Sequence, residues 1–336
     1  MTENLRVGLV GLGSMGRNHA RVLRSLSGVE LVAVADPRAD HEHTATADVV
    51  DSVHELIDVG IDYAVVATPT QFHLETGLAL ADASIHTLME KPIAPTTGEA
   101  LELARAFADA ELIGAVGHIE RYNPALRAAR ARLANGELGE IFQITTRRQG
   151  PFPVRVADVG VVMDLATHDI DLTRWVSGRE FSSVAAHKAS KSGRRHEDLV
   201  AFVGSLDDGL ISSHLINWLT PVKERIATFT GERGSFVVDM LTADLTFCAN
   251  GTVAMDWPDI ALFRGVSEGD ITRFAIPKPE PLRIEHEQFR DAVMGRPADI
   301  VTMTEAAETI RVAQAVLESA AQGQTVNLTS GASSDR

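Results

Sequence analysis

The chain has 336 residues, of which 45% are hydrophobic and 23% are charged, a composition typical of a soluble globular protein. Its 46 acidic residues outnumber its 31 basic residues and give a net charge of −15, which argues against non-specific binding to nucleic acid or to anionic membranes. The single cysteine, Cys248, excludes an intrachain disulfide, and we interpret it as a small apolar side chain within a strand.

The sequence also bears on location and on the number of domains. No apolar run approaches the roughly 20 residues that a membrane-spanning helix needs. The N-terminus leads directly into an apolar strand and leaves no room for a signal peptide, so we expect a cytoplasmic protein. At roughly 150 residues per domain, the length predicts two domains.

Residues 5–36 have the order strand, glycine-rich turn, helix, strand and acid. The apolar run Leu5–Val10 leads into a segment that fits G-x-G-x-x-G, Gly11-Leu12-Gly13-Ser14-Met15-Gly16. A helical pattern follows, and a second apolar strand ends in Asp36, 20 residues after Gly16. The glycine pattern alone is weak evidence. Together with its flanking elements it predicts a dinucleotide-binding unit, with an ordinary glycine-rich turn as the alternative.

Each glycine has a physical task in such a unit. Gly11 permits the tight turn out of the strand, Gly13 lets a pyrophosphate approach the backbone, and Gly16 lets the helix pack closely on the strand. The N-terminus of the helix then faces the phosphates. Asp36 can accept hydrogen bonds from the ribose hydroxyls and favours NAD, because the 2′-phosphate of NADP would face a carboxylate. Arg38 could pair with that phosphate, so NADP stays the less favoured alternative.

Buried apolar strands alternate with helical patterns through residues 1–120. We predict strands at 5–10, 30–35, 63–67, 85–89 and 112–116, and helices at 15–26, 53–56, 72–81 and 98–108. This alternation predicts an α/β domain with a Rossmann-type, doubly wound parallel sheet that binds NAD. The polar segment 38–51 predicts an abbreviated crossover, and we interpret its Asp40-His41-Glu42-His43 as a solvated loop rather than a metal site.

Residues 121–336 predict a second domain of the α+β class. A helix at 123–133 leads into short β-rich runs with hairpin signals at Asp208-Gly209 and Asn250-Gly251, so we expect a largely antiparallel, open sheet. One helix, at 163–175, interrupts the strands. Two helices, at 283–293 and 304–320, precede a polar tail at 329–336 that we expect to be disordered.

Two short motifs carry side chains suited to acid–base chemistry. Lys91, within Glu90-Lys91-Pro92, follows a parallel strand at the edge where ligands bind and can donate to a substrate oxygen; a surface lysine is the alternative. Asp164 and His168 share a helix face that Asp171 continues, and a histidine beside a carboxylate can accept a proton near neutral pH. A surface ion pair and a metal set are the alternatives there, and we predict no metal.

Two further stretches supply candidates for substrate binding. Where the last parallel strand crosses to the second domain, the residues expected to line a cleft are Arg121, Tyr122 and Asn123. A Pro- and Gly-containing loop forms a cationic patch in this acidic chain through Arg147, Arg148 and Arg155. The planar fork of arginine suits phosphate, and ordinary surface arginines paired with acids are the alternative.

Taken together, these motifs resemble those of the glucose–fructose oxidoreductase, inositol dehydrogenase and rhizopine-catabolism (Gfo/Idh/MocA) family over nearly the whole chain. The matching features are the glycine segment 11–16, Thr68-Pro69-Thr70-Gln71-Phe72-His73, Glu90-Lys91-Pro92 and Asp164-x-x-x-His168. Within the family, GHIERYNP, GPFPVRVADVGVVMDLATHDID and Asn217-Trp218-Leu219-Thr220-Pro221 with Lys223 resemble the UDP-N-acetylglucosamine 3-dehydrogenase group. Thr70 departs from the pattern, since many relatives have Asn there.

The resemblance implies roles for single residues. The cofactor would be bound by Gly11, Gly13, Ser14, Met15, Gly16, Asp36, Thr68, Pro69, His73, Glu90 and Lys91. Lys91 would also contact the substrate hydroxyl, and Asp164 and His168 would hold the reacting carbons of a sugar. Arg121 and the arginines of the 147–155 loop would meet a pyrophosphate. The peptide between Lys91 and Pro92 is expected to be cis, a form confined largely to proline.

The implied activity is NAD-dependent oxidation of a secondary hydroxyl, most specifically at C3 of UDP-N-acetylglucosamine. We expect His168 to act as general base and Lys91 to stabilise the alkoxide, although the two roles could be reversed. An inositol or free-sugar dehydrogenase, a redox-neutral enzyme that keeps its NAD, and a non-catalytic NAD-binding regulator are the alternatives. Relatives are commonly homodimers or homotetramers that associate through the sheet of the second domain.

Overall fold

The computed structural model describes residues 4–37, 47–153, 159–251 and 268–328. Arg38, Arg155, the Asp40–His43 segment and the polar tail at 329–336 lie outside the described residues. By their contacts, the residues form two compact units, one of Met1–Tyr122 with Pro279–Arg311 and one of Asn123–Lys278 with Val312–Arg336. Residues 279–311 therefore group with the first unit, whereas the sequence placed them in a domain of residues 121–336.

Three of the helices begin at a residue whose side chain caps them. Ser52 and Thr96 accept hydrogen bonds from the N–H groups of Glu55 and Glu99, and Asn123 caps the helix that begins at Pro124. In chain order the helices are α1 (Ser14–Leu23), α2 (Val53–Asp58), α3 (His73–Asp82), α4 (Thr97–Asp109), α5 (Pro124–Ala134), α6 (Thr167–Ser177), α7 (Pro281–Val293) and α8 (Met303–Gln322). No helix in the described ranges has the length and apolar character needed to cross a bilayer.

A parallel sheet of six strands organises the first unit. Its strands are β1 (Leu5–Val10), β2 (Val29–Ala35), β3 (Asp48–Val50), β4 (Tyr63–Val66), β5 (His86–Glu90) and β6 (Gly114–Gly117). The spatial order is β3-β2-β1-β4-β5-β6 and every pair is parallel, which confirms the predicted doubly wound sheet. The order reverses between β1 and β4, and ligands of such sheets bind outside the carboxyl ends of the strands at this switch point.

The core of the first unit explains why the chain returns to it near residue 280. Val7, Leu9 and Val65 are buried beside Phe289 of α7, whose ring packs edge-to-face on Tyr63 at 5.3 Å between centroids. After α7, Thr302 forms a β-bridge with Ala115 of β6. Burial of an aromatic side chain of this size stabilises a fold by about 3 kcal/mol or more, so α7 is an integral part of the first core.

A nine-stranded mixed sheet organises the second unit. Its strands are β7 (Ile141–Pro151), β8 (Phe181–Ala189), β9 (Leu199–Leu206), β10 (Ile211–Asn217), β11 (Leu219–Gly231), β12 (Gly234–Asp239), β13 (Asp244–Asn250), β14 (Glu268–Phe274) and β15 (Val326–Asn327). The order is β14-β13-β12-β11-β7-β10-β9-β8-β15. Among the described strand pairs of this second sheet, only β7–β10 is parallel, and the others are antiparallel. The predicted, largely antiparallel sheet is therefore confirmed.

The two faces of this sheet have different surroundings. On one face, Arg148 of β7 bonds to Asp169 of α6, so α6 covers that side. Successive side chains of a strand point to opposite faces. Arg147 therefore lies on the other face, beside a hollow of about 740 Å³ lined by Val203 and Leu215 among others. The two apolar side chains are 48% and 38% exposed, so this face of the second unit is open and partly apolar.

Candidate active site

The glycine loop between β1 and α1 has the geometry that dinucleotide binding requires. Gly11 has φ +90°, a conformation that side chains rarely adopt, and a Cβ there would lie 2.8 Å from the carbonyl oxygen of Ala67. A Cβ on Gly16 would lie 2.0 Å from the carbonyl oxygen of Gly11, so the helix and the turn touch backbone to backbone. A Cβ on Gly13 would meet no atom within 4 Å. The loop is tight on the protein side and open where a pyrophosphate would approach.

Two features of this loop suit an anionic ligand. Gly13 is the N-cap of α1 and supplies no side-chain hydrogen bond, which leaves the N-terminus of α1 with its backbone donors and positive dipole end. Asp36, directly after β2, accepts a hydrogen bond of 2.7 Å from the backbone N–H of Leu12. The carboxylate is thereby held beside the glycine loop, as binding of an adenosine ribose requires. These residues fit a dinucleotide.

His73 fastens two loops at the carboxyl ends of β4 and β5. Its Nε2 lies 2.9 Å from the carbonyl oxygen of Thr68, and its Nδ1 lies 3.0 Å and 3.2 Å from those of Pro92 and Ile93. The ring is 1% exposed, and burial lowers the pKa of His73 despite these carbonyl contacts. Because both ring nitrogens face backbone carbonyl oxygens, His73 holds these loops in position, and its expected contact along the cofactor stays a prediction. Thr68 is half-buried and Pro69 is exposed at the end of β4.

Lys91 follows β5 and is joined to a buried hydrogen-bonded cluster. Its backbone N–H donates to Oε2 of Glu90 at 3.0 Å, and the other oxygen of Glu90 lies 2.9 Å from Nε2 of His19. Burial raises the pKa of Glu90, but the hydrogen bond from His19 and the charge and backbone hydrogen bond of Lys91 outweigh it and hold that pKa below its ordinary value. The peptide between Lys91 and Pro92 is cis, as expected.

The cluster continues into α7 through a contact that the sequence analysis did not predict. Nδ1 of His19 lies 2.8 Å from Nε2 of His286, a residue 267 positions away. His19 lies within the helical pattern that follows the glycine segment. A histidine on a helix face that otherwise buries apolar side chains is the signal that pointed to a partner, but the sequence does not show which partner.

In the second unit, Asp164 lies in a widened helical turn and His168 follows it in the first turn of α6. A π-helical turn spans Val162–Ala166 and leads into α6, so the predicted continuous helix at 163–175 is wrong in its first turn. Glu197 accepts a hydrogen bond of 3.2 Å from the N–H of Val162 at the start of this turn. Asp164 and His168 are 5% and 9% exposed, and Asp171 is fully buried. Such π turns occur frequently at functional sites.

The two neighbouring arginines of β7 have separate roles. Arg148 and Asp169 form a buried ion pair at 3.0 Å, with side chains 3% and 0% exposed. Arg147 is 56% exposed and pairs with Glu224 of β11 at 2.8 Å. Residues 147–151, which we had interpreted as part of a loop, belong to β7, and the alternation of the strand separates the two guanidinium groups. The structure therefore does not bring Arg147 together with His168 on the α6 side of the sheet.

The expected substrate-binding residues of the crossing segment make contacts within the protein, and their role in substrate binding stays a prediction. Arg121 is 5% exposed and pairs with Glu305 at 2.8 Å. The hydroxyl of Tyr122 donates to the carbonyl oxygen of Asp299, and Asn123 caps α5 and donates to the carbonyl oxygen of Met240. Within the described residues, no three His, Cys, Asp or Glu side chains are grouped to hold a metal.

Family comparisons match both parts of the chain. Residues 5–118 match the family model of an oxidoreductase family's NAD-binding Rossmann fold, and residues 130–328 match that of the family's C-terminal alpha/beta domain. A UDP-N-acetylglucosamine 3-dehydrogenase of Acidithiobacillus ferrooxidans is 31% identical over 186 residues, 54% of this chain and 58% of that protein. The chain thus spans less than two-thirds of that relative's length in the alignment.

Other relatives extend the comparison. A myo-inositol dehydrogenase of Streptomyces leeuwenhoekii, Hyg17, is 34% identical over 250 residues, 69% of this chain and 75% of that protein. The solved structure of the Acidithiobacillus ferrooxidans enzyme, GnnA, superposes with a TM-score of 0.82 at 25% identity and covers 94% of this chain and 97% of its own. GenD2 from gentamicin A biosynthesis, solved with NAD, has a TM-score of 0.81 at 26% identity and covers 98% and 97%.

Proposed function

The chain belongs to the Gfo/Idh/MocA oxidoreductase family, and on that premise we propose that it oxidises a secondary hydroxyl of a sugar with NAD as hydride acceptor. The observation that carries this proposal is the glycine loop, closed against backbone at Gly11 and Gly16 and open at Gly13, with the Asp36 carboxylate held beside it. The carboxylate favours NAD over NADP because it would repel a 2′-phosphate.

The proposed chemistry assigns one task to each polar residue. Bound NAD supplies the hydride acceptor. Lys91, at the carboxyl end of β5, stabilises the negative charge that develops on the substrate oxygen. His168 removes the hydroxyl proton, a contribution of about 10² to 10⁴ in rate, and Asp164 orients the sugar or the imidazole. The alternative assignment, with Lys91 as base, uses the same residues.

Two substrate classes have support. For UDP-N-acetylglucosamine, oxidised at C3, the support is the GHIERYNP and GPFPVRVADVGVVMDLATHDID stretches and the similarity to GnnA over 94% of the chain. For a cyclic polyol, the support is the similarity to Hyg17 over 69% of the chain. Arg121 and Arg147, which we expected to meet a pyrophosphate, form ion pairs with Glu305 and Glu224, so they add little support for a nucleotide sugar. We propose the nucleotide sugar as substrate and keep the polyol as the second candidate.

A substrate panel tests this proposal. Absorbance of NADH is followed while UDP-N-acetylglucosamine, other UDP-sugars, myo-inositol and scyllo-inositol are supplied in turn, with and without a keto-acid acceptor. NADH formation with a UDP-sugar supports the first candidate, and formation with an inositol alone supports the second. Product formed without NADH release indicates a redox-neutral enzyme. NAD binding without turnover of any sugar would indicate a regulator and contradict the proposal.

Variants of Lys91 and His168, assayed with the same substrates, test the catalytic role proposed for each residue. Lys91→Ala and His168→Asn should each lower kcat/KM by about 10² to 10⁴ while NAD still binds. Lys188→Ala on β8 and His54→Asn on α2 are matched controls, since both side chains are exposed, and these variants should retain activity. Equal activity in all four variants would remove the proposed roles.

We also propose that the chain self-associates through the open face of the second sheet. The supporting observation is the exposure of Val203, Leu215 and Ile211, at 48%, 38% and 41%, on adjacent strands. Contiguous apolar surface of this kind marks interaction sites in soluble proteins. Light scattering should give the mass of a dimer or tetramer, and Val203→Glu should reduce it. A monomeric parent chain would contradict the proposal.

A further inference from the structure

The buried cluster behind Lys91 contains two histidines from segments far apart in the chain. His19 of α1 is 1% exposed and His286 of α7 is fully buried, and 2.8 Å separates Nδ1 of the first from Nε2 of the second. His19 in turn contacts Glu90, and Glu90 accepts from the backbone N–H of Lys91. The cluster thus forms an unbroken path of hydrogen bonds from α7 to the residue that carries the proposed chemistry.

The direction of the hydrogen bonds in this cluster depends on which nitrogen of each histidine carries a proton. The charge of Glu90 requires a donor, so Nε2 of His19 carries the proton. Nδ1 of His19 is then an acceptor and requires the proton on Nε2 of His286. Nδ1 of His286 has no partner among the described residues. In this assignment that nitrogen carries no proton, so the unsatisfied group is a buried acceptor. The opposite assignment would leave a buried N–H without an acceptor, which is seen more rarely in proteins.

The neighbours of His286 agree with a neutral imidazole. Burial and the nearby His19 lower the pKa of His286 well below its ordinary value. On the same helix, burial and the charge of Glu90 raise the pKa of Glu285 well above its ordinary value. The 3₁₀ turn at 119–122, which packs on α7, adds Glu120 and Arg121, and Arg121 pairs with Glu305. Glu90 and Lys91 are then the charged pair that the cluster positions.

We propose that His286 is a positioning residue for the dehydrogenase reaction. It fixes the tautomer of His19, His19 orients the Glu90 carboxylate, and that carboxylate holds the backbone N–H of Lys91. The inference rests on the proposed function for its kinetic consequence. Its structural part, the Nε2–H tautomer of His19 imposed by His286, stands on the geometry of the first unit alone. A 1 Å displacement of a reacting group can lower a rate by about 10²-fold, so a lost hydrogen bond at this distance has a measurable effect.

Three variants separate positioning from simple stability. His286→Gln keeps an N–H donor near the position of Nε2, His286→Leu removes it, and Phe289→Leu perturbs the same buried helix face without a link to Glu90. We expect His286→Leu to lower kcat by about 10- to 100-fold and to change the pH profile of kcat, with little change in the Kd for NAD. His286→Gln should recover most of kcat, and Phe289→Leu should leave the pH profile as in the parent chain. Equal losses in the Gln and Leu variants, or no loss in the Leu variant, overturn the proposal.

A second measurement does not depend on turnover. Nitrogen-15 NMR of the imidazoles at pH 8, assigned with a His19→Gln variant, should show His19 with its proton on Nε2 in the parent chain and in His286→Gln. His286→Leu should show a mixture of tautomers. A proton on Nδ1 of His19 in the parent chain overturns the proposal even if the enzyme is active. Failure of every sugar in the substrate panel, with the expected NMR result, would instead contradict the proposed function and leave the positioning contact established.

Discussion

A carbon atom at the Cβ position of Gly16 would lie 2.0 Å from the carbonyl oxygen of Gly11. The obstacle is backbone and cannot rotate away, so Gly16→Ala must push α1 off the end of β1. We expect a loss of stability of about 1–3 kcal/mol or more and loss of NAD binding, because both depend on the same close approach. Thermal unfolding and a fluorescence titration with NADH measure the two effects.

Gly13→Ala is the matched control for the same loop. A Cβ at Gly13 meets no protein atom within 4 Å, and its φ of −67° is accessible to alanine. We expect less than about 1 kcal/mol of destabilisation, as for other N-cap changes, but on the order of tenfold weaker NAD binding because the methyl group occupies the approach of the pyrophosphate. Unchanged NAD affinity in Gly13→Ala would show that the ligand does not approach there.

Asp36 should determine the choice between NAD and NADP. Its carboxylate is oriented by the N–H of Leu12, so Asp36→Ala removes an acceptor for the ribose, and we expect kcat/KM for NAD to fall about 10- to 100-fold. Asp36→Asn retains an acceptor for Leu12 but removes the charge, and it should raise the NADP to NAD ratio of kcat/KM. A parent chain that prefers NADP, or an unchanged ratio in Asp36→Asn, would contradict this prediction.

Features that depend on local pattern were predicted from the sequence. Strands β1, β2 and β4 were predictable because each is largely a run of buried apolar residues, and the glycine loop because backbone geometry at Gly11 and Gly16 excludes side chains. The cis peptide at Lys91–Pro92 followed from a motif of the family.

Features that depend on long-range contacts or on hydrogen-bond register were missed. The π turn at Val162–Ala166 changes a hydrogen-bonding pattern that side-chain spacing does not report. The packing of α7 on the first sheet and the contact between His19 and His286 join segments far apart in the chain, 267 residues in the case of the two histidines. The opposite directions of Arg147 and Arg148 follow from strand alternation, but Gly150 and Pro151 led us to interpret a strand as a loop.

Arg148 and Arg147 allow the contribution of a buried ion pair to the free energy of unfolding to be compared with that of an exposed one. Arg148→Met leaves the fully buried carboxylate of Asp169 without its 3.0 Å partner, and we expect a loss of about 3–5 kcal/mol in the free energy of unfolding. Arg147→Met breaks an exposed pair with Glu224 and should cost less than about 1 kcal/mol. Urea denaturation measures both variants.

The same pair tests the position of Arg147 relative to the substrate. Because its side chain lies on the sheet face opposite α6, Arg147→Met should leave KM for the sugar unchanged. An increase in KM in this variant would restore the interpretation of Arg147 as a substrate-binding residue.

Glu285 should make the folded state less stable as the pH rises. Burial and the charge of Glu90 raise its pKa well above 4.5, and neither carboxyl oxygen has a hydrogen-bond partner among the described residues. The folded chain therefore keeps a proton that the unfolded chain releases. Its contribution to stability is complete below the unfolded pKa and is lost progressively as the pH rises toward the folded pKa, by at most about 1.4 kcal/mol per pH unit.

Glu285→Gln replaces the protonated carboxyl with an amide of nearly the same shape that cannot ionise. The variant should be as stable as the parent chain near about pH 4 and more stable near about pH 8, so the difference in Tm between them widens as the pH rises. Glu102→Gln on α4, an exposed acid of the same unit, should give no such widening. The stabilisation expected from Glu90 has the opposite pH dependence and is common to both chains, so it cancels in the comparison. A constant Tm difference across this range would mean that Glu285 is ionised in the folded protein and has a partner.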